Sequence, residues 1–473
     1  MAPGYFLNQD FIVAGIRRQS VRQLKIGTSW VRGVVGEALT PELIVNFACA
    51  FGTWCDGETV VIGRDTRKSS AMLHAAVVSG LLSTGCEVVD LGVSPSPVIS
   101  FAVRELAAAG GISVSGSHND VRWNALKFIG PDGVLLNEVK SEELLDIYHA
   151  SAFLTADWKA LRPVTTDAVV VERYLENVLA ALDVETIRKA KLTVAVDICN
   201  GACGPVVARF MEALGCTLYA LNEEPSGEFA HSPAPSTDNM RQLAALMRYL
   251  DADLGAAVNV DGDRVGFVTR AGEALSEEYA LPLAAQMRLT RRPGLVVTNL
   301  STSRMVDRVA EASGQPVQRT TVGEGYVMDE GLAEGAVLAG EGSGGIAMLP
   351  VTMTYDALLT LGMILESMAA SGKPLEALIA GLPSMSMRKG EIACPPELVY
   401  RVIEGFRQRY ADRNPETADG VRVEWPEVWL HVRASNTEPL LRVIVEADSD
   451  ARADEVFNDS MTYARRLAFG HGG

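Results

Sequence analysis

The sequence predicts an α/β protein: three related α/β domains with mixed, mainly parallel sheets, followed by a smaller α+β domain. Three observations carry this expectation. Short apolar runs alternate with helical stretches of about 10–15 residues, the pattern of parallel strands covered on both faces. The alternation begins afresh twice, and each round closes on a polar or glycine-rich turn. The last section switches to runs that alternate in character, as antiparallel strands do. At 473 residues the chain is too long for one ordinary core, so three or four domains are expected.

In the first round, Thr59–Gly63 is a predicted strand and Ser70–Leu82 a helix with Met72, Ala75, Ala76 and Val78 on its apolar side. Glu87–Leu91 is the next strand, Pro97–Ala108 the next helix, and Gly110–Val114 a buried strand bounded by glycines. In the second round, Leu192–Val196 leads to a helix over Val206–Leu214, then to strands Cys216–Leu221 and Gly255–Val260. The third has strand Gly294–Thr298, a helix near Ser303–Ala312, strand Ala336–Gly340 and a helix from Asp356 to Ala370. In the last section, strands Val421–Trp425, Val428–Val432 and Leu441–Val445 are flanked by helices Glu397–Tyr410 and Ala451–Leu467. Ala156–Thr166 and Leu382–Lys389 are predicted linkers, and Glu223–Thr237 a long loop within one unit.

Composition narrows the function. Hydrophobic residues make up 48% and charged residues 21%, as in a soluble globular protein. A net charge of -17 argues against nucleic acid or an anionic membrane as partner, so a phosphorylated substrate needs a local basic pocket. The seven cysteines (49, 55, 86, 199, 203, 216 and 394) are scattered, without a CxxC pair. That fits a reducing compartment better than a disulfide framework or a zinc site. The first residues, Met1–Phe6, lack a basic start followed by an apolar core, and no apolar run approaches the ~20 residues of a membrane span. A cytoplasmic location is expected.

Four motifs carry chemistry. Ser115-Gly116-Ser117-His118-Asn119 follows the strand Gly110–Val114, which places a serine hydroxyl at a strand's carboxyl end, where ligands bind in open α/β sheets. Asn259-Val260-Asp261-Gly262-Asp263-Arg264 sets side-chain oxygens two residues apart around a glycine turn, a donor set for a hard cation such as Mg2+. Arg264 adds a cation suited to phosphate oxygens. Gly340-Glu341-Gly342-Ser343-Gly344-Gly345 holds a carboxylate and a hydroxyl that can bond vicinal sugar hydroxyls. Arg433-Ala434-Ser435-Asn436-Thr437-Glu438-Pro439, with Arg442, has the makings of an anion cradle. Three shorter pieces accompany them: Gly27–Gly33 with Arg32 inside it, Gly63-Arg64-Asp65-Thr66-Arg67 ending the first strand, and Asn124–Lys127, which can return an ammonium to the serine loop.

In their order, these pieces resemble the α-D-phosphohexomutase family, of the phosphomannomutase/phosphoglucomutase type, from about Lys25 to Ala447. The resemblance implies four domains around a central cleft, each giving one loop, with boundaries at residues 1–160, 161–268, 269–383 and 384–473. It implies an isomerase that interconverts hexose 1-phosphate and hexose 6-phosphate, of mannose, glucose or both, through a phosphoserine and a hexose 1,6-bisphosphate. Ser117 would carry the phosphoryl group. Mg2+ would sit among Ser117, Asn259, Asp261 and Asp263, with glucose 1,6-bisphosphate, or the matching hexose bisphosphate, as activator. Arg32, His118, Lys127 and Arg264 would serve proton transfer and charge neutralisation. Gly323 and Glu324 would line the site, Glu341 and Ser343 would grip sugar hydroxyls, and Arg433, Ser435, Asn436, Thr437 and Arg442 would hold the resting phosphate. A hexose phosphate is the implied partner, and the chain is expected to be a monomer or homodimer. Phosphoglucosamine mutase and a non-catalytic phosphosugar-binding relative are the alternatives.

Five positions depart from the family pattern. Asn259 stands in place of the usual first metal-binding aspartate, Gly345 of a histidine, Gly325 of a basic residue, Trp30 of a glycine and Asp120 of a proline.

Overall fold

The computed structural model describes residues 24–435 and 440–470. Two compact units make up the chain. Of the described residues, one unit holds 24–168 together with segments 200–202 and 224–233, and the other holds the rest.

The first unit is built on a 7-stranded sheet. Gly110–Val114, Val60–Arg64 and Val88–Val93 run parallel at its centre, and Val164–Thr165 extends that side. On the other side Trp123–Ile129, Trp30–Val34 and Lys25–Ile26 follow, each antiparallel to its neighbour. Helix Pro41–Trp54 starts where the Thr40 hydroxyl accepts from the Leu43 N–H, with proline in the first turn. It packs on helix Lys68–Ser83, and Phe47, Phe51 and Phe128 join Val60, Ile62 and Ile112 in one core.

The second unit holds three 4-stranded sheets. Thr193–Asp197 lies between the parallel strands Thr217–Leu221 and Leu254–Val258, and Val265–Val268 returns antiparallel. Val296–Asn299 lies between the parallel strands Val317–Thr320 and Leu338–Gly340, and Ile346–Ala347 returns antiparallel. The central four strands of the first unit repeat this order: second, first, third, then an antiparallel fourth. All three α/β sheets therefore turn from their third strand into a hairpin, and each hairpin loop is one of the motifs read from the sequence. The fourth sheet is antiparallel throughout, with Ser386–Ala393 at one edge and Val421–Glu424 at the other.

Several expectations need correction. The inward stripe of helix Lys68–Ser83 is Leu73, Val77 and Leu81, spaced by four; of the expected residues Ala76 is buried, while Met72 and Ala75 are exposed. The predicted linkers both contribute strand: Val164–Thr165 pairs with Val88–Val89, and residues 386–389 belong to Ser386–Ala393. Val317–Thr320 goes unpredicted because Val-Gln-Arg-Thr is a half-buried edge strand without an apolar run. Asn436 and Thr437, like the first six residues, lie outside the described residues. Among the described residues no helix is long and apolar enough to cross a membrane.

The alternating strands of the fourth sheet bury both faces. One faces the core of Val402, Phe406 and Leu430. The other carries Trp429, His431 and Glu446 and meets residues 301–304, which follow strand Val296–Asn299. Glu446 accepts from Trp429 Nε1 at 3.0 Å and from the Arg304 N–H at 2.9 Å. The Ser301 hydroxyl and His431 Nδ1 are 2.9 Å apart, and His431 Nε2 lies 2.6 Å from the Asp419 carbonyl, which assigns the neutral Nε2–H tautomer. Burial pushes the His431 imidazole down to about 4 from an ordinary 6.5. The unfolded chain therefore takes up this proton first. The contribution of His431 is complete above about pH 6.5 and is lost as the pH falls toward 4. His431→Gln should flatten that acid limb in a plot of denaturation midpoint against pH, and an unchanged limb would remove His431 as its cause.

Candidate active site

The serine loop occupies the hairpin between Gly110–Val114 and Trp123–Ile129. Lys127 pairs with Ser113 on one side and with Trp30 on the other. These three share a face of the sheet, and Arg32, two residues beyond Trp30, shares it too. The ammonium thus returns to the strand that leads into the loop. The Arg32 guanidinium lies 4.6 Å from the Trp30 ring and donates to Asn119 Oδ1 at 2.6 Å. His118 is half-buried in the same turn.

Arg67 holds this loop from within. Its guanidinium donates to the carbonyls of Ser117 at 2.8 Å and Asn119 at 2.6 Å, and also to that of Asp120. Its Nε donates to Asp65 Oδ2 at 3.0 Å, and both side chains are buried. The remaining Asp65 capacity is taken by the Arg67 N–H, the Ser70 hydroxyl and the Ser115 hydroxyl, which donates at 2.8 Å. Ser115 Oγ in turn accepts from the Ser117 N–H at 2.9 Å. Ser117 sits at φ +47°, a left-handed conformation few non-glycine residues adopt, and is buried. Asp65 and Arg67 so fix the backbone that presents Ser117.

In the second unit, Asn259, Asp261 and Asp263 are all buried in the hairpin after Leu254–Val258. Gly262 takes φ +72° to close the turn. Asn259 Nδ2 donates to Asp261 Oδ1 at 2.9 Å and Asp263 Oδ1 at 2.5 Å, while its Oδ1 accepts from the Arg264 N–H at 3.0 Å. The amide therefore bridges two carboxylates that would otherwise repel. Both carboxylate oxygens converge on Asn259 Nδ2, while the amide oxygen faces the Arg264 N–H, so this turn offers a hard cation such as Mg2+ two carboxylates, and the amide oxygen only if the Asn259 side chain turns over. Among the described residues no group of three or more His, Cys, Asp or Glu side chains is arranged for a metal. A cation here would need a further ligand.

The adjoining hairpin, residues 341–345, is bridged to this loop through Arg264 and Gly345, and the Val265 N–H donates to the Gly344 carbonyl at 3.2 Å. Glu341 Oε1 accepts from Asn299 Nδ2 at 2.5 Å and from the Gly323 N–H at 2.9 Å. Gly323, at φ +144°, precedes helix Glu324–Ala333. Glu324 itself accepts from the Thr354 hydroxyl and, at 3.0 Å, from the Tyr355 N–H. Burial alone would lower the Arg264 pKa, but the Asp263, Glu341 and Glu324 carboxylates outweigh it and raise the value. Arg264 Nε and Ser343 Oγ are buried without a hydrogen-bond partner. Each such group costs about 1–3 kcal/mol unless water or a ligand satisfies it. Arg264 Nε retains an ion pair with Asp263 at 3.8 Å.

Arg433 and Arg442 stand directly opposite each other on paired strands of the fourth sheet. Like charges so placed destabilise a sheet unless an anion joins them. Asp419 takes the Arg433 Nε at 2.8 Å, and Arg442 Nε lies 3.5 Å from Glu391. Asp419 also accepts from the Val322 N–H at 3.0 Å, which ties this end to the Gly323 turn. Ser435 is half-buried. The structure so links Arg264, Gly323, Glu324, Glu341, Ser343 and Arg433 within one unit, and it adds Asn299 and Asp419, which sequence reasoning missed.

Four family models match the chain. Three carry the description phosphoglucomutase/phosphomannomutase alpha/beta/alpha domain: domain I over residues 23–155, domain II over 172–272 and domain III over 276–385. The fourth, the C-terminal domain, matches 405–462. A "Probable phosphoglucosamine mutase" of Methanopyrus kandleri is 35% identical over 445 residues, covering 93% of this chain and 97% of that relative. A "Phosphoglucomutase/phosphomannomutase" of Thermococcus kodakarensis is 33% identical, covering 91% and 96%. The crystal structure of a phosphoglucomutase/phosphomannomutase family protein from Burkholderia thailandensis is 28% identical with a TM-score of 0.81, covering 96% of this chain and 99% of that one.

Arg67→Ala should leave Asp65 buried without its partner and cost about 3–5 kcal/mol, seen as a lower denaturation midpoint. A midpoint within experimental error of the parent would contradict the supporting role given to Arg67.

Proposed function

The chain belongs to the phosphoglucomutase/phosphomannomutase family, isomerases that relocate a phosphoryl group on a hexose, and from that premise we propose that it interconverts hexose 1-phosphate and hexose 6-phosphate of glucose, mannose or both. Ser117 carries the phosphoryl group. The substrate's free hydroxyl attacks the phosphoserine phosphorus, the bond to Ser117 Oγ breaks, and a hexose 1,6-bisphosphate forms. The bisphosphate turns end for end, and Ser117 Oγ takes its other phosphoryl group, releasing the isomeric monophosphate. The hydroxyl proton that leaves in the first transfer returns to the sugar oxygen in the second.

Phosphoryl transfer asks the protein for positioning and charge neutralisation more than covalent help. Arg32 and Lys127 supply positive charge near Ser117, and His118 is suited to moving the proton. Asp261, Asp263 and the Asn259 amide oxygen would hold Mg2+, which supplies charge neutralisation at the phosphoryl oxygens when bound. Using that amide oxygen requires Asn259 to give up its bond to the Arg264 N–H. Glu341 and Ser343 bind sugar hydroxyls beside Gly323 and Glu324, and Arg264 offsets the carboxylates around them. Arg433 and Arg442, with Ser435, Asn436 and Thr437, hold the phosphate that is not reacting. Glucose 1,6-bisphosphate, or the matching bisphosphate, primes Ser117. All seven cysteines are free and six are buried, which agrees with a reducing cytoplasm.

One observation supports this reading above the others: three hairpin loops at equivalent places in three sheets carry, in chain order, a serine, a carboxylate pair and a glutamate with a hydroxyl. A second reading, phosphoglucosamine mutase, is favoured by the name of the Methanopyrus kandleri relative. The test is product analysis by phosphorus NMR. Purified protein with Mg2+ and a trace of glucose 1,6-bisphosphate is given the 1-phosphates of glucose, mannose and glucosamine in turn. Conversion of glucose or mannose 1-phosphate to the 6-phosphate is expected. Conversion of glucosamine 1-phosphate alone would select the second reading, and no conversion at all would refute both.

A further inference from the structure

Tyr355 lies outside every sequence motif, yet its ring occupies the space beside the 341–345 loop. A Cβ on Gly345 would come within 2.2 Å of Tyr355 Cδ2, so the ring fills the place of a side chain at 345. Only glycine at 345 admits it. The ring is fixed on both sides. The Tyr355 backbone N–H donates to Glu324 Oε1 at 3.0 Å. The next residue, Asp356, caps helix Ala357–Ser371 by accepting from the Leu359 N–H at 2.9 Å, and also accepts from the buried Tyr174 hydroxyl.

The Tyr355 side chain is buried, and its hydroxyl lies against the Glu341 carboxylate, a contact that draws on its proton but falls short of strict hydrogen-bond geometry. In the same pair of bridged hairpins Ser343 Oγ is buried without a hydrogen-bond partner, and Arg264 Nε has only an ion pair with Asp263 at 3.8 Å. Three buried polar atoms with incomplete hydrogen bonding in one place are costly to desolvate. A bound polar guest removes that cost. Its chemistry is limited by charge: Asp263, Glu324 and Glu341 surround the single guanidinium of Arg264. A phosphate would be repelled, whereas a neutral hydroxyl would not.

We propose that Tyr355 is a substrate-binding residue whose hydroxyl donates a hydrogen bond to a ring hydroxyl of the phosphosugar, beside those held by Glu341 and Ser343. This rests on the mutase reading of the loop and adds the residue that replaces a side chain at 345. Burial, reinforced by the Glu341 and Glu324 charges, holds the phenol well above its ordinary pKa, so it stays protonated and can donate.

The experiment compares the parent with Tyr355→Phe, which removes one oxygen, on the hexose 1-phosphate the parent turns over and on its 3-deoxy and 4-deoxy analogues. Titration calorimetry with glucose 1,6-bisphosphate and a thermal melt accompany the kinetics. Tyr355→Phe should lower kcat/KM about tenfold on the full substrate with the melt unchanged. The loss should fall below about twofold on the one deoxy analogue that lacks the contacted hydroxyl. Gly345→Ala, whose methyl displaces the ring, should reproduce the loss and decides the matter if Tyr355→Phe does not fold. An unchanged kcat/KM, or the same loss on every analogue, overturns the proposal while leaving the mutase reading standing. If the parent binds glucose 1,6-bisphosphate but turns nothing over, the mutase reading fails, and a roughly tenfold weaker affinity in Tyr355→Phe still supports the contact. If the parent binds no phosphosugar, both fall.

Discussion

A single buried guanidinium, that of Arg67, holds the backbone of the serine loop. It satisfies three consecutive-turn carbonyls at once and is itself neutralised by Asp65, whose carboxylate is in turn saturated by Ser70, Ser115 and a main-chain N–H. A buried ion pair is seldom a net source of stability, because desolvation offsets the attraction. This one earns its place through geometry. It permits Ser117 to keep a left-handed backbone conformation that the residue would not choose alone.

The same logic runs through the second unit with other chemistry. Asn259 stands between two carboxylates and donates to both, which keeps like charges close. Glu341 is turned by Asn299 and the Gly323 N–H, and Asp419 orients Arg433 while binding the Val322 N–H. Glu341 is thus aimed from outside its own hairpin, whereas Asp261 and Asp263 are held by Asn259 of theirs. The repeated strand order explains why: a return strand after a parallel pair delivers its loop at the carboxyl edge, where backbone donors and polar side chains of neighbouring strands already face.

Much of this was legible before any coordinates. Strand Gly110–Val114 and the loop behind it, the Asn259–Arg264 turn and the 341–345 turn all announce themselves as an apolar run ending in small polar residues, which is local information. The return of Lys127 to the serine loop was also readable, because Asn124–Lys127 follows the loop within hairpin distance. What stayed hidden is long-range. Arg67 reads as the end of a strand, since its acceptors lie some fifty residues away. Tyr355 reads as a residue before a helix, and nothing local says that its ring covers Gly345. The edge strand Val317–Thr320 lacks an apolar run. The alternation in Val428–Ala434 shows a polar face, but not that residues 301–304 bury it.

The most direct measurement is intact-mass spectrometry of the purified chain after exposure to glucose 1,6-bisphosphate, beside Ser117→Ala treated identically. A population heavier by one phosphoryl group, present in the parent, absent in Ser117→Ala and mapping to the peptide that contains residue 117, is the predicted result. An equal phosphoryl load in both proteins, or none in a parent that nevertheless isomerises hexose phosphates, would contradict the role of Ser117.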